Sequence, residues 1–194
     1  MTTPIQPAAR PLRQDAARNR ERVVEAAAAL FAERGMSVGV PEIAERAGVG
    51  KATVYRGFPS KENLIAAVLE QRMAWMRERA DVAAQAPDAG AAFRELLGEM
   101  AEIQAADHAL ADAMVYKQRL PELAPALEAV REALDRLVTR AQEQGAIRAD
   151  VTGAEVRVLL GAVSRAMAEA REHDPAVWLR HLSLMADGLR PGIE

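Results

Sequence analysis

The sequence predicts an all-α protein of about nine helices, with an N-terminal unit of three helices fused to a C-terminal helical bundle. Apolar residues recur at intervals of three and four along nearly the whole chain, and no segment alternates as a half-buried strand does. Glycine, proline and capping residues separate these periodic segments, where they end one helix and begin the next. With 194 residues, half of them apolar, the chain is long enough to bury a sizeable core.

The first helix is expected to run from Asp15 to about Arg34. Asp15 is a good N-cap, Gly35 is suited to ending the helix, and an apolar stripe lies between them. Residues 1–14 are rich in Pro, Arg, Gln and Thr and are expected to form a disordered arm.

The next two helices are expected over residues 40–47 and 50–56, joined by a glycine turn. Gly48 can adopt the left-handed conformation that closes a helix, and Gly50 can begin the following one. Two short helices with this connection are typical of a helix-turn-helix motif.

The second helix of this pair presents a face suited to DNA. Val49 and Val54 are predicted to point into the core, which leaves Lys51, Ala52 and Tyr55 on the outer side. A recognition helix of a helix-turn-helix protein enters the major groove with such a face.

The residue types on this helix suit contacts with duplex DNA. Small residues at Gly50 and Ala52 allow close approach to the groove, and Lys51 supplies positive charge. Thr53 and Tyr55 carry hydroxyl groups that can donate to phosphate oxygens.

A fourth helix is expected to begin at Lys61. Phe58 anchors the preceding segment, Pro59 stops it, Ser60 is an N-cap, and Asn63 occupies the reciprocal capping-box position. A lysine in the first turn opposes the helix dipole, which is explained if Lys61 faces a phosphate. The alternative is a solvated surface lysine.

This fourth helix is expected to continue into the early eighties, before Pro87. No linker interrupts it, so the helix-turn-helix domain (residues 15–63) is predicted to be joined rigidly to a second domain (residues 64–194). The second domain has the pattern of a helical bundle, and Asp174 followed by Pro175 indicates the start of its last helix.

Residues 15–69 resemble the DNA-binding domain of the TetR family of bacterial transcriptional regulators. The segments that carry the resemblance are AAALFAERG (27–35), IAERAGVGKATVYRGF (43–58) and SKENL (60–64). The resemblance implies groove contacts from Lys51 and Ala52 and phosphate contacts from Thr53, Tyr55 and Lys61. The candidate DNA-binding set is Gly50, Lys51, Ala52, Thr53, Tyr55, Arg56 and Lys61, in which Arg56 is a weaker candidate than Lys51 or Tyr55.

The sequence departs from the family pattern at three glycines. Gly39 stands where the family commonly has Ser or Thr. Gly50 stands where Ser is common, and Gly57 stands where His is frequent. These departures favour the alternative function, a DNA-independent helical scaffold that binds a ligand or a partner.

The segments LADAMVYKQRLPELAPALEAVREAL (110–134) and GAIRADVT (145–152) are similar to the C-terminal domain of SbtR-like regulators in the same family. The resemblance implies a small-molecule pocket in the second domain, for an effector that the sequence does not identify. The candidate lining residues are Phe93, Met100, Ile103, His108, Met114, Tyr116 and Arg119. Methionines at helical spacing are equally compatible with an ordinary core.

The last two helices are apolar on more than one side, and a second apolar face is an association surface. The family resemblance implies that such helices form the interface of a homodimer. A dimer also suits a palindromic operator, because two recognition helices about 34 Å apart meet successive turns of the major groove. The candidate interface residues are Val156, Leu159, Leu160, Val163, Met167, Trp178, Leu182 and Met185. The alternative is that both faces belong to the internal core.

The net charge of −3 is unevenly distributed. Residues 1–61 hold ten Lys or Arg and six Asp or Glu, whereas residues 62–194 hold fifteen and twenty-two. The chain has no cysteine and no apolar run near the roughly 18 residues that span a bilayer, so a cytoplasmic protein without a membrane partner is expected.

No catalytic or metal-binding pattern is present. His108, His173 and His181 lack partners at metal-ligand spacing, and Ser164 does not stand in a GxSxG turn. We therefore expect no enzyme, cofactor or metal. The sequence predicts a ligand-responsive, DNA-binding regulator, most simply a repressor.

Overall fold

The computed structural model describes residues 10–106 and 120–192, and the side chains from residue 14 onward within those ranges. These residues form eight α-helices and no strand, which confirms the all-α prediction. The helices are α1 (Arg10–Arg34), α2 (Val40–Ala47), α3 (Lys51–Gly57), α4 (Lys61–Ala84), α5 (Ala89–Ala106), α6 (Ala124–Glu143), α7 (Gly153–Glu169) and α8 (Pro175–Gly188). A short 3₁₀ turn, Pro121–Leu123, precedes α6.

Helix α1 begins earlier than the sequence indicated. It starts at Arg10, so the prediction that Asp15 caps it was wrong, and residues 10–14 belong to the helix rather than to an arm. Pro11 lies in the first turn, where a missing N–H leaves no hydrogen bond unmade, and the residues around it are good helix formers.

Two hydrophobic cores are joined by α4. The buried segment Leu64–Leu69 packs with α1, α2 and α3 in the N-terminal core. Farther along the same helix, Ala80 and Ala83 are buried in the C-terminal core, which α5, α6, α7 and α8 complete. The predicted continuous connection between the two parts is therefore present as one helix.

The N-terminal core also includes residues from the second half of the chain. Leu120, just before the 3₁₀ turn, and Leu123, its last residue, are buried in this core, and Leu127 at the start of α6 packs against it. The start of α6 thus packs on the N-terminal core, which is also continuous with α4.

The ends of α4, α7 and α8 are fixed by capping interactions. The Asn63 backbone N–H donates to the Ser60 hydroxyl at 3.2 Å, as the sequence predicted. Thr152 and Glu155 form the same box at α7, and the backbone N–H and hydroxyl of Thr152 hold the pKa of the Glu155 carboxyl below its ordinary value. Asp174 caps α8 by accepting from the Ala176 N–H at 2.8 Å.

None of the helices within the described ranges combines the length and the apolar composition that crossing a bilayer requires.

Candidate nucleic-acid interface and ligand cavity

The turn between α2 and α3 depends on Gly48. Its φ and ψ of 62° and 39° lie in the left-handed region, as the sequence predicted. The Gly48 N–H donates to the Glu45 carbonyl and the Val49 N–H to the Ala44 carbonyl, both at 3.0 Å. A Cβ at Gly48 would lie 2.7 Å from a guanidinium nitrogen of Arg22, a flexible side chain that can shift, so glycine is required here for its left-handed conformation.

Helix α3 is held against the protein by a single buried side chain. Val54 is almost completely buried, and Val49 in the preceding turn packs against the same N-terminal core. The inward orientation predicted for both valines is therefore confirmed.

The opposite side of α3 faces solvent. Lys51, Ala52, Tyr55 and Arg56 are exposed, Tyr55 by 51%, and Thr53 is half-buried. We call the first four residues the α3 surface.

Two cations of α1 and α2, in contrast, are paired with carboxylates. Arg46 forms two hydrogen bonds with the Glu33 carboxylate, at 2.8 and 3.0 Å, and Arg34 pairs with Glu42. The Gly39 backbone N–H, together with Arg34, holds the pKa of the Glu42 carboxyl below its ordinary value, so this ion pair is charged at neutral pH.

The polar groups of the α3 surface are not satisfied within the described part of the chain. Over those residues, Lys51 and Arg56 form no ion pair, and the Tyr55 hydroxyl forms no hydrogen bond. Two cations and a phenol are consequently available on one side of one short helix.

Lys61 lies differently from the rest of the candidate set. It is half-buried at the start of α4, and its ammonium group donates to the Met36 carbonyl in the connection after α1. An internal partner thus accounts for a lysine in this first turn, and Lys61 is a weaker candidate for phosphate contact than Lys51.

The glycines that depart from the family pattern on α3 are not imposed by the backbone. Gly50 has an extended conformation, φ −71° and ψ 148°, and a Cβ there or at Gly57 would meet no heavy atom within 4 Å. A side chain at either position would therefore fit, and the glycines keep the ends of α3 free of side-chain atoms.

A cavity of about 920 Å³ lies in the second half of the molecule, between α4, α5, α6 and α7. Of the candidate residues, Met100 and Ile103 line it. Phe93 does not: it is buried in the C-terminal core, one of several apolar positions of α5 that face inward. His108, Met114, Tyr116 and Arg119 lie outside the described residues.

Most of the cavity wall was missed from the sequence. Trp75 and Met76 of α4 and much of one side of α7 line it, together with Ala28 of α1 and Leu127 of α6. The methionines at helical spacing on α4 were the available indication, but only the packing of four helices shows that they surround a space. Because Ala28 and Leu127 also pack against the N-terminal core, the cavity touches both cores.

The predicted dimer interface requires a correction. Val156, Leu160, Trp178 and Leu182 are at most 5% exposed, within the C-terminal core of the same subunit. The inner apolar face of each helix was mistaken for the outer one, because both faces have helical spacing. These four side chains are not available to a second subunit.

A different set of apolar side chains lies on the outer side of α7 and α8. Leu159 and Leu179 are each 42% exposed, and Leu184 is 56% exposed. Of the predicted set, only Leu159 is among them. Val163, Met167 and Met185 are half-buried and pack against the C-terminal core.

Comparison with known families matches both parts of the chain. Residues 23–68 match the model described as bacterial regulatory proteins of the tetR family, and residues 88–191, more than half of the chain, match the C-terminal domain of SbtR-like transcriptional regulators. The chain belongs to the TetR family. It is therefore a DNA-binding transcriptional regulator with a helix-turn-helix domain and a ligand-binding domain.

Solved structures of TetR-family members share this fold over nearly the whole chain. The TetR transcription regulatory protein from Mycobacterium vanbaalenii is 38% identical, with a TM-score of 0.69 over 93% of this chain and 100% of that one. The FadR repressor of Thermus thermophilus, solved in complex with lauroyl-CoA, is 26% identical, with a TM-score of 0.60 over 90% of this chain and 97% of that one.

A curated relative is the HTH-type transcriptional repressor KstR2 of Mycolicibacterium smegmatis. It is 28% identical over 151 residues, which are 77% of this chain and 66% of the relative. The match thus spans slightly less than two thirds of that relative's length.

Family membership bears on the alternatives left open by the sequence. TetR proteins are transcriptional regulators and not enzymes, and the DNA-independent scaffold loses its support because this chain keeps the family's DNA-binding domain. The glycines at positions 50 and 57 leave that domain's fold intact.

Proposed function

We propose that this TetR-family protein is a ligand-responsive repressor that binds a palindromic operator as a homodimer. The observation that carries the proposal is the α3 surface, whose lysine, arginine and tyrosine lack partners in the described chain and project from a helix held by Val54. KstR2 and FadR, the relatives described above, are repressors by name, which supports the sign of regulation.

The α3 surface has the chemistry that reading a major groove needs. Lys51 at the first turn of α3 and the small Ala52 beside it contact base edges, since the N-terminal residues of a recognition helix reach deepest. Thr53 and Tyr55 donate hydroxyl hydrogen bonds to phosphates, which fix the position of the helix without specifying sequence. Arg56, at the far end, adds charge along the backbone.

Dimerisation uses the exposed apolar side chains of α7 and α8. Leu159, Leu179 and Leu184 form an outer surface that water covers in the isolated subunit, whereas the exposed Val158 lines the cavity. Pairing two such surfaces around a two-fold axis makes a four-helix contact and removes the apolar area from water. Two α3 helices about 34 Å apart then match the half-sites of a palindrome.

The effector site is the cavity between α4, α5, α6 and α7. Helix α4 lines it with Trp75 and begins in the N-terminal core beside α3. Leu127 of α6 lines it and packs on the same core. A ligand that fits the cavity better in one arrangement of α4 and α6 therefore shifts the spacing of the two recognition helices.

Binding to DNA is tested with genomic fragments selected by the purified protein, followed by gel shifts on a selected duplex. Tyr55→Ala should weaken binding to matched and mismatched duplexes alike, by about 3- to 10-fold, because it removes a phosphate hydrogen bond. Tyr55→Phe, which keeps the ring, should reproduce most of this loss. A change in sequence preference without a general loss of affinity would contradict the phosphate assignment.

Salt dependence provides the independent check. A protein that neutralises phosphates loses affinity steeply as salt rises. Affinity for the selected duplex that is independent of salt would contradict the proposal that the cations of α3 meet the DNA backbone.

A further inference from the structure

We infer that the cavity binds an anionic amphiphile: an elongated apolar body with an acidic head at Arg131 and Arg157, and an oxygen in the body at the Ser164 hydroxyl. The inference rests on the proposed function only in that it names the chemical class of the effector.

The cavity is long and mostly apolar. Its wall on α7 runs from Ala154 to Ser164, which is about 15 Å along a helix axis. Its apolar lining includes Met73, Trp75, Met76, Met100, Leu127 and Leu160. Methionine side chains adapt to different shapes, so this wall suits a flexible or variable apolar body.

The charged residues in the described lining are predominantly basic. They are Arg72, Arg131 and Arg157, with Glu128 as the one carboxylate. Three guanidinium groups in one wall offer N–H donors to an anion, and a cationic ligand has no use for them.

Two of these arginines are placed to act together. Arg131 pairs with Glu128 at 3.0 Å, and Arg157 pairs with Asp135 of α6, one turn after Arg131. The two guanidinium groups therefore belong to the same part of the cavity wall. Each guanidinium has five N–H donors, so donors remain for an acidic head after one carboxylate is bound.

Ser164 provides a second polar contact, two turns farther along α7 than Arg157. It is the one polar residue that is buried among the described residues, with an exposure of 8%, and it lines the cavity. Its hydroxyl makes no hydrogen bond with any part of the described chain. An unsatisfied buried hydroxyl is unfavourable, so a ligand oxygen that bonds to it gains affinity.

The spacing between these contacts defines the ligand further. Ser164 lies two turns after Arg157 on α7, about 10 Å along the axis. The ligand therefore carries an acidic head and, about 10 Å along its body, a hydroxyl or carbonyl oxygen.

Ligand binding is measured on the DNA-free protein by tryptophan fluorescence, because Trp75 lines the cavity while Trp178 is buried elsewhere in the core. The probes are octadecanoate, octadecanol, octadecylamine and octadecanoyl-CoA, below their micelle thresholds. The two anions should bind at least about 10-fold more tightly than the alcohol or the amine. Comparison of the two anions tells whether a free acid or a thioester supplies the head. The Trp75→Phe variant should abolish the signal.

The head contact is tested with Arg131→Gln. Octadecanoate should bind about 5- to 10-fold more weakly, and octadecanol should be unaffected. Arg140→Gln is the matched control, because Arg140 also lies on α6 and pairs with a glutamate three residues away, at 3.1 Å, but does not line this cavity. Equal losses in the two variants would overturn the assignment of the head.

The body contact is tested with Ser164→Ala, which removes the hydroxyl and creates no large void. Octadecanoate with a mid-chain hydroxyl should bind the parent protein about 3- to 10-fold more tightly than octadecanoate, and the variant should lose this difference. An unchanged difference in the variant would overturn the role of Ser164. Unchanged thermal melting shows that Ser164→Ala is folded.

Different results would contradict the proposed ligand class and the proposed regulatory function. Tighter binding of the amine or the alcohol than of either anion overturns the ligand class, whether or not the protein binds DNA. A gel shift in the absence of ligand does not require an occupied cavity, so its failure would contradict the proposed function and leave the fluorescence result standing.

Discussion

Helix α3 and the helix pair α7 and α8 illustrate two different relations between sequence pattern and exposure. On α3 one buried residue, Val54, separates inside from outside, and the residues expected to face solvent do so. On α7 and α8 apolar residues occur on both faces, and four of the residues expected outside are in the core. Helical spacing alone therefore locates a surface only where a single face is apolar.

The same contrast applies to electrostatics. The cations of α3 lack partners within the described chain, whereas Arg46 of α2 pairs with Glu33 of α1. Surfaces that act on a ligand outside the protein keep polar groups unsatisfied, and surfaces that hold helices together do not.

The largest expected effect distinguishes the inner from the outer face of α8. Leu182→Ala should lower the free energy of unfolding by about 2–5 kcal/mol, because it creates a cavity in the C-terminal core. Leu184→Ala, at a position 56% exposed, should change protomer stability by less than about 0.5 kcal/mol. Denaturant unfolding of both variants, with stabilities compared at low protein concentration, provides the measurement. Similar losses from both would contradict the assignment of the two faces.

The outer face of α7 and α8 is tested by introducing negative charge. Leu159→Glu combined with Leu184→Glu should weaken self-association by about 100-fold or more, since each buried leucine contributes about 1.5–3 kcal/mol. Sedimentation over a range of concentrations measures the dimer. Val82→Glu is the control: Val82 is 54% exposed but lies on α4, so association should be unchanged. A dimer that survives the double change and dissociates on Val82→Glu would relocate the interface.

The glycine turn that presents α3 has a smaller expected effect. Gly48→Ala should lower the free energy of unfolding by about 1–2 kcal/mol for the left-handed conformation, and by slightly more because the added Cβ displaces the Arg22 guanidinium from the Gly48 carbonyl. Gly145→Ala, at a similar φ of 69° with no atom within 4 Å of the added Cβ, should show only the conformational cost. Thermal melting compares the two. Equal losses would show that Arg22 moves aside.

The smallest expected effect concerns the start of α3. Gly50→Ser should raise stability by a few tenths of a kcal/mol, about 0.3, because serine is the better N-cap and the space around Gly50 is open. Differential melting at matched concentration measures the change. A clear loss of stability would mean that α3 depends on the flexibility of Gly50.

Local rules accounted for most of the helix boundaries. The stop at Gly48, the capping box at Ser60 and the start at Asp174 each depend on residues close in sequence, and the structure has all three. The start of α1 was misplaced because Asp15 has the composition of a cap but lies inside a helix that Arg10 begins. A capping residue is informative only where the helix cannot extend past it.

Features that depend on distant contacts were not accessible from the sequence. The burial of Leu120 and Leu123 in the N-terminal core joins residues far apart in the chain, and no periodicity indicates it. The role proposed for Ser164 could not be predicted from the sequence, because it depends on the absence of any neighbouring group within hydrogen-bond distance of its hydroxyl. The cavity wall is likewise a product of helix packing, since its residues come from five helices.

The measurement that tests the central claim most directly is the affinity of the protein for a selected operator duplex as a function of salt, for Lys51→Ala and Arg46→Ala. Lys51 has no partner in the described chain, whereas Arg46 is held by Glu33, so the two changes remove similar charge from neighbouring helices. We predict that Lys51→Ala weakens binding and lowers the slope of log affinity against log salt by about one per subunit, while Arg46→Ala leaves the slope unchanged. The reverse result, with Lys51→Ala indistinguishable from the parent and Arg46→Ala impaired, would contradict the assignment of α3 as the DNA-contacting surface.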